Sequence, residues 1–139
     1  MQVRENARTA EARDEAPGAA ERAARSVFEY DYRHLPADRK RAEGFLTGSY
    51  RSEYVKAATA LEKQKDGGPG LAIQTKAVVT ATALASGVVD ADEDSARVLV
   101  YVNQVSQKAG AEPQIFQNRV AMTMQKEGKR WLLAKVDSY

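Results

Sequence analysis

The order of apolar and polar residues divides the chain into a helical first half and a strand-forming second half. Apolar residues recur at helical spacing over residues 20–31, 42–46 and 50–61. Leu35-Pro36 is the predicted end of the first of these helices, and Asp38 is the predicted N-cap of the second. After the glycine-rich segment 66–70, four runs with strand periodicity follow, over residues 75–89, 95–107, 115–126 and 130–137.

The short connections between these four runs predict an antiparallel meander with helices covering one face. We therefore predict an α+β fold in which N-terminal helices pack on a strongly bent four-stranded antiparallel sheet, forming a small cone-shaped domain. In the first strand, Val78 shares its face with Leu84, and the other face is mostly alanine. The side chains that the periodicity assigns to the core are Phe28, Phe45, Tyr54, Leu61, Val78, Val100, Met122 and Trp131.

The first residues differ in composition from the rest of the chain. Residues 1–16 have good helix propensity but little apolar surface, and Pro17-Gly18 is expected to interrupt them. We therefore expect a helical stalk over residues 1–16 and a single domain over residues 17–139. Met1 opens in helical sequence without a cap or a signal-peptide core. A natural cytosolic protein can begin in this way, and so can a chain whose start is placed just after a deleted segment; we expect the second.

Composition excludes several classes of function. The chain carries 21 Lys and Arg against 19 Asp and Glu. These charges are interspersed, whereas a nucleic-acid binder needs a basic stripe. The chain has no cysteine, which excludes disulfides, cysteine-ligated zinc and thiol catalysis. No run approaches the ~20 apolar residues of a membrane span.

Two clusters invite a chemical interpretation. Asp90, Asp92 and Asp94 match the opening of a calcium loop, but Ser95 and Tyr101 stand where that loop needs glycine and glutamate, so a solvated turn is favoured. The lone histidine, His34, lies three residues after Asp31 and could form an acid–base pair with it.

Other features argue against catalysis. Residues 75–89, 95–107 and 115–126 contain no Asp or Glu, although enzymes on cone-shaped folds usually place a carboxylate base on or beside the sheet. Polar residues within apolar strands, together with nearby aromatic residues, instead predict a small amphipathic pocket between helix and sheet. Its candidate ligand-binding residues are Phe28, Tyr32, Tyr101, Asn103, Gln117 and Trp131. No metal site and no cofactor site is predicted.

Five short motifs occur in a fixed order: VFEYDYR at 27–33, LTGSYR at 46–51, KAVVTA at 76–81, VYVNQ at 100–104 and GKRWL at 128–132. Together they resemble the Mce-associated membrane proteins of actinobacteria, over about residues 20–138. The resemblance implies a nuclear transport factor 2-like (cystatin-like) fold on the extracytoplasmic side of the plasma membrane. It also implies a single N-terminal membrane helix, which this chain lacks and which would directly precede Gln2.

The expected function is therefore that of a non-catalytic accessory or interaction domain associated with Mce lipid-uptake systems. The resemblance implies that its partners are Mce transport subunits or other membrane proteins. A lipid or a small apolar ligand could occupy the pocket, and the domain could form a homo-oligomer. No nucleic acid is expected as a partner. The alternative is a small-molecule isomerase or dehydratase of the same fold, using Tyr32, Asp31 or His34.

Overall fold

The structure is a computed structural model that describes residues 2–139, with side chains described from residue 7 onward. Four helices and five strands lie within these residues. In chain order they are α1 (Gln2–Phe28), β1 (Tyr30–Asp31), α2 (Leu35–Glu43), α3 (Gly48–Glu62), α4 (Leu71–Thr75), β2 (Val78–Ala91), β3 (Ser95–Gln107), β4 (Gln114–Glu127) and β5 (Arg130–Ser138).

The strands form one antiparallel sheet in the order β1-β2-β3-β4-β5, so each strand pairs with its neighbour in sequence. The α+β meander is confirmed, but the predicted number of strands was one too few. Residues 30 and 31, which were expected to end a helix, pair with Val79 and Val78 at the edge of β2. A two-residue strand is too short to show a periodicity in sequence.

Helix α1 crosses the inner face of the sheet and contacts β2, β3 and β5. It does so through a stripe of alanines: Ala12, Ala16, Ala19, Ala20, Ala23 and Ala24 are each at most 6% exposed. Alanine has no side chain beyond Cβ, so the helix backbone can lie close to the strands. No helix within residues 2–139 combines the length and the apolar character needed to cross a membrane.

The predicted break at Pro17-Gly18 is wrong, because α1 continues through Pro17. Ala12 and Ala16 on its N-terminal side are fully buried, and Trp131 Nε1 donates a hydrogen bond to Glu15 Oε1 at 3.2 Å. The expected stalk boundary between residues 16 and 17 therefore does not coincide with a break in the structure. A stripe of alanines carries little hydrophobicity, which is why the apolar pattern did not reveal this contact. Met1 lies outside the described residues.

The core lies between α1 and the inner face of the sheet. Its largest fully buried side chains are Val98, Val100, Val102, Met122, Met124 and Leu133. In β2 the predicted faces were reversed: Val79 and Ala81 are buried, whereas Leu84 is 58% exposed and Val78 only half-buried. The alanine face of β2 is the inner one because the alanine stripe of α1 packs against it closely.

The predicted core is confirmed for Val100, Met122 and Trp131. The other five predicted core residues, Phe28, Phe45, Tyr54, Leu61 and Val78, are half-buried. Four of them, all except Val78, pack at the edges of two hydrophobic clusters. Helices, and not the sheet, shield them there from solvent. Large aromatic rings can reach the core from such margins while one edge remains exposed.

Helix α2 begins at Leu35, three residues before the predicted cap, and Pro36 lies in its first turn. Proline is favoured there because its missing N–H would have no partner inside the helix. Leu35-Pro36 thus starts a helix rather than ending one. Asp38 lies within α2, only 8% exposed, and its Oδ2 accepts the backbone N–H of Asp31 at 2.8 Å. This hydrogen bond fastens β1 to α2.

Candidate functional site

An apolar hollow lies where the C-terminal end of α1 meets α2, α3 and β3. It has a volume of about 230 Å³. We call it the inter-helix hollow; it is lined by Val27, Phe28, Tyr30, Leu35, Asp38, Arg39, Tyr54, Ala57, Ala58, Leu61 and Gln104. The small side chains of Ala57 and Ala58 on α3 leave this space open, and aliphatic and aromatic side chains supply most of its walls.

The charged side chains around the inter-helix hollow are held by other protein groups. Asp38 accepts the N–H of Asp31, and its other oxygen lies 3.1 Å from Arg41 Nη1. Arg39 Nη1 donates to Glu62 Oε2 at 2.5 Å. Neither charge is free to act on a molecule inside the hollow.

The amide that lines the inter-helix hollow is fixed in the same way. Gln104 Nε2 donates to the carbonyl oxygen of Phe28 at 2.7 Å, at the end of α1. Its Oε1 accepts a hydrogen bond from Asn118 Nδ2 on the next strand, also at 2.7 Å. This relay ties the end of α1 to β3 and β4, so Gln104 has a structural role at the floor of the hollow.

The phenols near the inter-helix hollow are neutral at physiological pH. Burial raises the pKa of Tyr30, and burial together with the nearby Asp38 raises the pKa of Tyr54. At the start of α3, where Tyr50 packs against the core, burial raises the pKa of Tyr50 to about 12. A phenol with a raised pKa is a poor general base, so these side chains serve as apolar walls with a hydrogen-bonding tip.

Asp31 and His34 lie outside the inter-helix hollow, in a surface depression beside β1 and the start of β2. Hydrogen bonds from Arg33 lower the pKa of Asp31 to about 2. The Asp31 carboxylate lies 2.6 Å from Arg33 Nη2 and 3.7 Å from His34 Nδ1. The His34 side chain is 63% exposed. A carboxylate so strongly paired with arginine is a weak base, and the histidine beside it faces water.

The structure does not bring the six predicted pocket residues together. Phe28 alone lines the inter-helix hollow. Tyr32 packs in a small separate cluster around Leu35, Ala72 and Ala77, with Arg33 over its ring at 5.8 Å. Trp131 is buried under α1, where it bonds to Glu15.

The other three predicted pocket residues, Tyr101, Asn103 and Gln117, lie on the outer face of the sheet. Val98, Val100 and Val102 point inward, so the residues that alternate with them in β3 point outward. Gln117 is the cross-strand partner of Asn103 and shares its face. The alternation of β3 already carried this information, and the same counting places Gln104 on the inner face.

Several lining residues of the inter-helix hollow had no signal in the sequence as pocket residues. Ala57 and Ala58 are ordinary helix residues whose small size matters only once α2 and β3 lie opposite them. Leu35 was assigned to the end of a helix, although it begins one. Within the described side chains, no group of three or more His, Asp or Glu residues is arranged to hold a metal ion.

No model of a protein family matches the sequence, and no curated protein matches it significantly. The solved structures that are similar to it include two with TM-scores of at least 0.70. An IcmL-like type IV secretion system protein from Legionella pneumophila has a TM-score of 0.72 at 16% identity, with 91% of each chain covered. The periplasmic domain of DotI has a TM-score of 0.70 at 18% identity, covering 89% of this chain and 92% of that one. At such identities the likeness shows a shared nuclear transport factor 2-like fold, as the sequence predicted.

Proposed function

We propose that this chain is a non-catalytic interaction domain on the extracytoplasmic side of a membrane-associated system, anchored by a single membrane helix. In this proposal the inter-helix hollow receives an apolar group of a partner protein. The observation that carries it is the state of the polar groups around the hollow. Asp38, Arg39 and Gln104 each form a hydrogen bond to another group within the chain. The surface that the hollow presents to a bound group is therefore apolar.

Size favours a side chain over a whole small molecule. Pockets that bind drug-sized ligands have volumes of about 300–1,000 Å³. The inter-helix hollow, at about 230 Å³, is smaller. It can hold one aromatic or branched aliphatic side chain, or the end of one acyl chain. An apolar anchor seated in a small pocket is the usual centre of a protein–protein interface.

The alternative, an isomerase or dehydratase, has weaker support. It would need Asp31 or His34 as a base in an enclosed cavity. Asp31 is paired with Arg33, and most of the His34 side chain faces solvent. Tyr32 packs in the small cluster around Leu35, Ala72 and Ala77 and does not line the inter-helix hollow. The geometry therefore favours binding over proton transfer.

The identity of the membrane system to which the chain belongs is a more specific proposal. The five ordered motifs of the sequence favour an accessory role in Mce lipid uptake. Of the two similar structures named above, one is an IcmL-like type IV secretion system protein and the other is the periplasmic domain of DotI. We propose an association with Mce lipid uptake because of the five motifs. Identifying the protein's partners distinguishes this role from a role in a secretion system.

Affinity capture of the full-length protein from solubilised membranes of its native host tests the proposal. Ala58→Trp fills the inter-helix hollow from α3, and Ala60→Trp places the same side chain on the exposed side of that helix. We expect wild type and Ala60→Trp to retain the same membrane-protein partners in quantitative mass spectrometry. Ala58→Trp should reduce their recovery about tenfold, which corresponds to the loss of about 1.4 kcal/mol of binding.

Equal recovery with both tryptophan variants would show that the inter-helix hollow does not mediate the interaction. Recovery of secretion subunits in place of Mce subunits would replace the finer assignment and keep the interaction role. A purified domain that turned over a small hydroxy or keto compound, with activity lost in Asp31→Asn, would favour the enzyme alternative. Thermal melts of both variants control for folding.

A further inference from the structure

One edge of the sheet is open along most of its length. β1 covers β2 only at Val78 and Val79, so from Thr80 to Ala91 no strand of residues 2–139 pairs with the outer side of β2. No charged residue occurs between Lys76 and Asp90. Leu84 is 58% exposed and Val89 is 46% exposed along this stretch. We call Thr80 to Ala91 the open edge.

Exposed edges in native proteins usually carry charges, prolines or a covering segment, because unpaired backbone groups recruit other strands. The opposite edge, β5, has these protections. It carries Arg130, Lys135 and Asp137, and the segment before α3 covers it at Leu133. There, the N–H of Leu133 donates to the Phe45 carbonyl at 2.8 Å. The open edge of β2 is less protected. It carries one charged residue, Asp90, close to its end, and within the described residues the side chains of Glu29 and Glu21 accept hydrogen bonds from the Ala81 N–H and the Ser86 hydroxyl. Most of its outer backbone is still without a partner strand.

Charged side chains lie at both ends of the open edge. At its start, Arg22 and Arg25 of α1 line a hollow of about 300 Å³ beside residues 81–83. Glu21 lines the same hollow, and its Oε2 accepts a hydrogen bond from Ser86 Oγ at 2.7 Å. Neither arginine forms an ion pair within the described residues. At its far end lie Asp90 and the turn residues Asp92, Glu93 and Asp94. The N–H of Ala81 lies 3.4 Å from Glu29 Oε2, so this part of the strand directs an N–H away from β3.

We propose that the open edge pairs with the open edge of a second copy of this chain, antiparallel and about a two-fold axis near Ser86. In such a two-fold antiparallel pair, the start of each β2 strand lies beside the end of the β2 strand of the other copy. The acidic turn of one copy would then lie beside Arg22 and Arg25 of the other, twice in the dimer. Leu84 of each copy would lie beside Val88 and Val89 of its partner and lose its exposure.

The register shifts of β2 fit this arrangement. They lie between Ala83 and Ala85 and between Val88 and Asp90, and leave a regular stretch in the middle of the open edge. A two-fold axis near Ser86 passes through this regular stretch, so its backbone can pair without a bulge in the centre. An unrelated extended strand would gain the same hydrogen bonds but not the two matched sets of charges, and this favours a second copy.

Sedimentation velocity of the full chain over a concentration series tests this pairing. We expect a reversible monomer–dimer equilibrium in the wild type. Leu84→Lys puts a charge on the open edge, and Gly87→Lys does the same at a position where an added side chain meets nothing within 4 Å. Each should raise the dimer dissociation constant at least about tenfold. The matched control Ile115→Lys, at a 67% exposed position in β4, should leave it unchanged.

Charge reversal tests the register. Arg22→Glu with Arg25→Glu should weaken the dimer, and adding Asp90→Lys with Asp92→Lys in the same chain should restore it. Failure of the second pair to restore association would contradict the proposed register. Circular dichroism and melting temperature show whether each variant is folded.

Cysteine cross-linking gives an independent readout because the native chain has no cysteine. Residues 85 and 87 face each other across the proposed axis, so Ala85→Cys with Gly87→Cys should form a covalent dimer on mild oxidation. Ile115→Cys with Gln117→Cys, in the middle of the sheet, should not. A wild type that stays monomeric at all concentrations would overturn the proposal, as would dissociation by Ile115→Lys. If the chain stayed monomeric and the open edge bound an uncharged extended peptide, the partner of the open edge would be a strand of another protein and not a second copy of this chain.

Discussion

At the scale of single residues, the polar groups near the inter-helix hollow hold the fold together. Asp38 is the clearest case, because a buried carboxylate connects β1 and α2 through one hydrogen bond and one ion pair. Sequence reasoning placed Asp38 at a helix cap, where aspartate is common. Its actual partner, the N–H of Asp31, belongs to a two-residue strand that no sequence pattern indicates. Its role could therefore be recognised only from the structure.

Replacing Asp38 tests this role. Asp38→Ala leaves the buried N–H of Asp31 without an acceptor, which costs about 1–3 kcal/mol of unfolding free energy. Asp38→Asn keeps an acceptor oxygen in place and should cost less. Urea denaturation of both variants against wild type measures the difference. Equal stability of Asp38→Ala and wild type would contradict the assigned role.

Asp31 provides a pH-dependent test. Its pKa is lowered from 3.8 to about 2, chiefly by the hydrogen bond from Arg33. A lowered carboxyl pKa adds stability above the unfolded-state value and loses it as the pH falls through the folded-state value. The wild type should therefore exceed Asp31→Asn in stability at pH 7, by less than about 1 kcal/mol for this exposed pair.

This advantage should shrink between about pH 4 and pH 2, as followed by thermal melts across that range. Arg33→Gln removes the same ion pair from the other side and serves as the control. It should add nothing to the Asp31→Asn effect when the two are combined. An advantage that persists below pH 2 would mean that the pair is not its source.

At the scale of elements, α1 differs most from its prediction. The sequence shows good helix formers interrupted by Pro17-Gly18, and this favoured a separate stalk. The structure instead has one helix of 27 residues, held by small side chains against the small-residue face of β2. Close packing of alanine on alanine is underestimated by hydrophobicity patterns in the sequence. The same effect explains why the two faces of β2 were predicted the wrong way round. In β3, where large valines alternate with other residues, Val100 was correctly predicted to be buried, although Tyr101 and Asn103 on the opposite face were assigned to the pocket.

Ala16 tests whether the N-terminal part of α1 belongs to the core. It is fully buried, so Ala16→Leu forces extra volume between helix and sheet and should cost about 1–3 kcal/mol. Arg13→Leu introduces the same side chain at an exposed position of the same helix and should change stability little. Melting temperatures of the two variants decide the matter. A stalk free of the domain would tolerate both substitutions equally.

At the scale of the whole molecule, the fold was largely predictable and the site was not. The meander and the covering helices follow from periodicity and turn residues, and the nuclear transport factor 2-like class was implied by the resemblance that the ordered motifs carry. The inter-helix hollow depends on three helices meeting β3, and its openness comes from Ala57 and Ala58, whose sequence context is unremarkable. Asn103 and Gln117, chosen for their polarity within strands, instead lie on the outer face of the sheet, where Gln117 is exposed and Asn103 is half-buried.

The inter-helix hollow and the open edge lie on different parts of the molecule, one at the α1–α3 junction and the other along β2. A dimer formed through the open edge would leave the hollow of each copy accessible. Two copies could then present two hollows to a membrane assembly, which raises the effective affinity for a partner that carries two anchors. The monomeric variant Leu84→Lys should therefore capture such a partner less well, although its hollow is intact.

The most direct test of the central claim is photo-crosslinking in membranes of the native host. A photoreactive phenylalanine at Ala57, which lines the inter-helix hollow, should form a light-dependent adduct with one membrane protein. The same probe at Ala60, on the exposed side of α3, should not form that adduct. The absence of any adduct from position 57, or the same adduct from both positions, would contradict an interaction centred on the hollow.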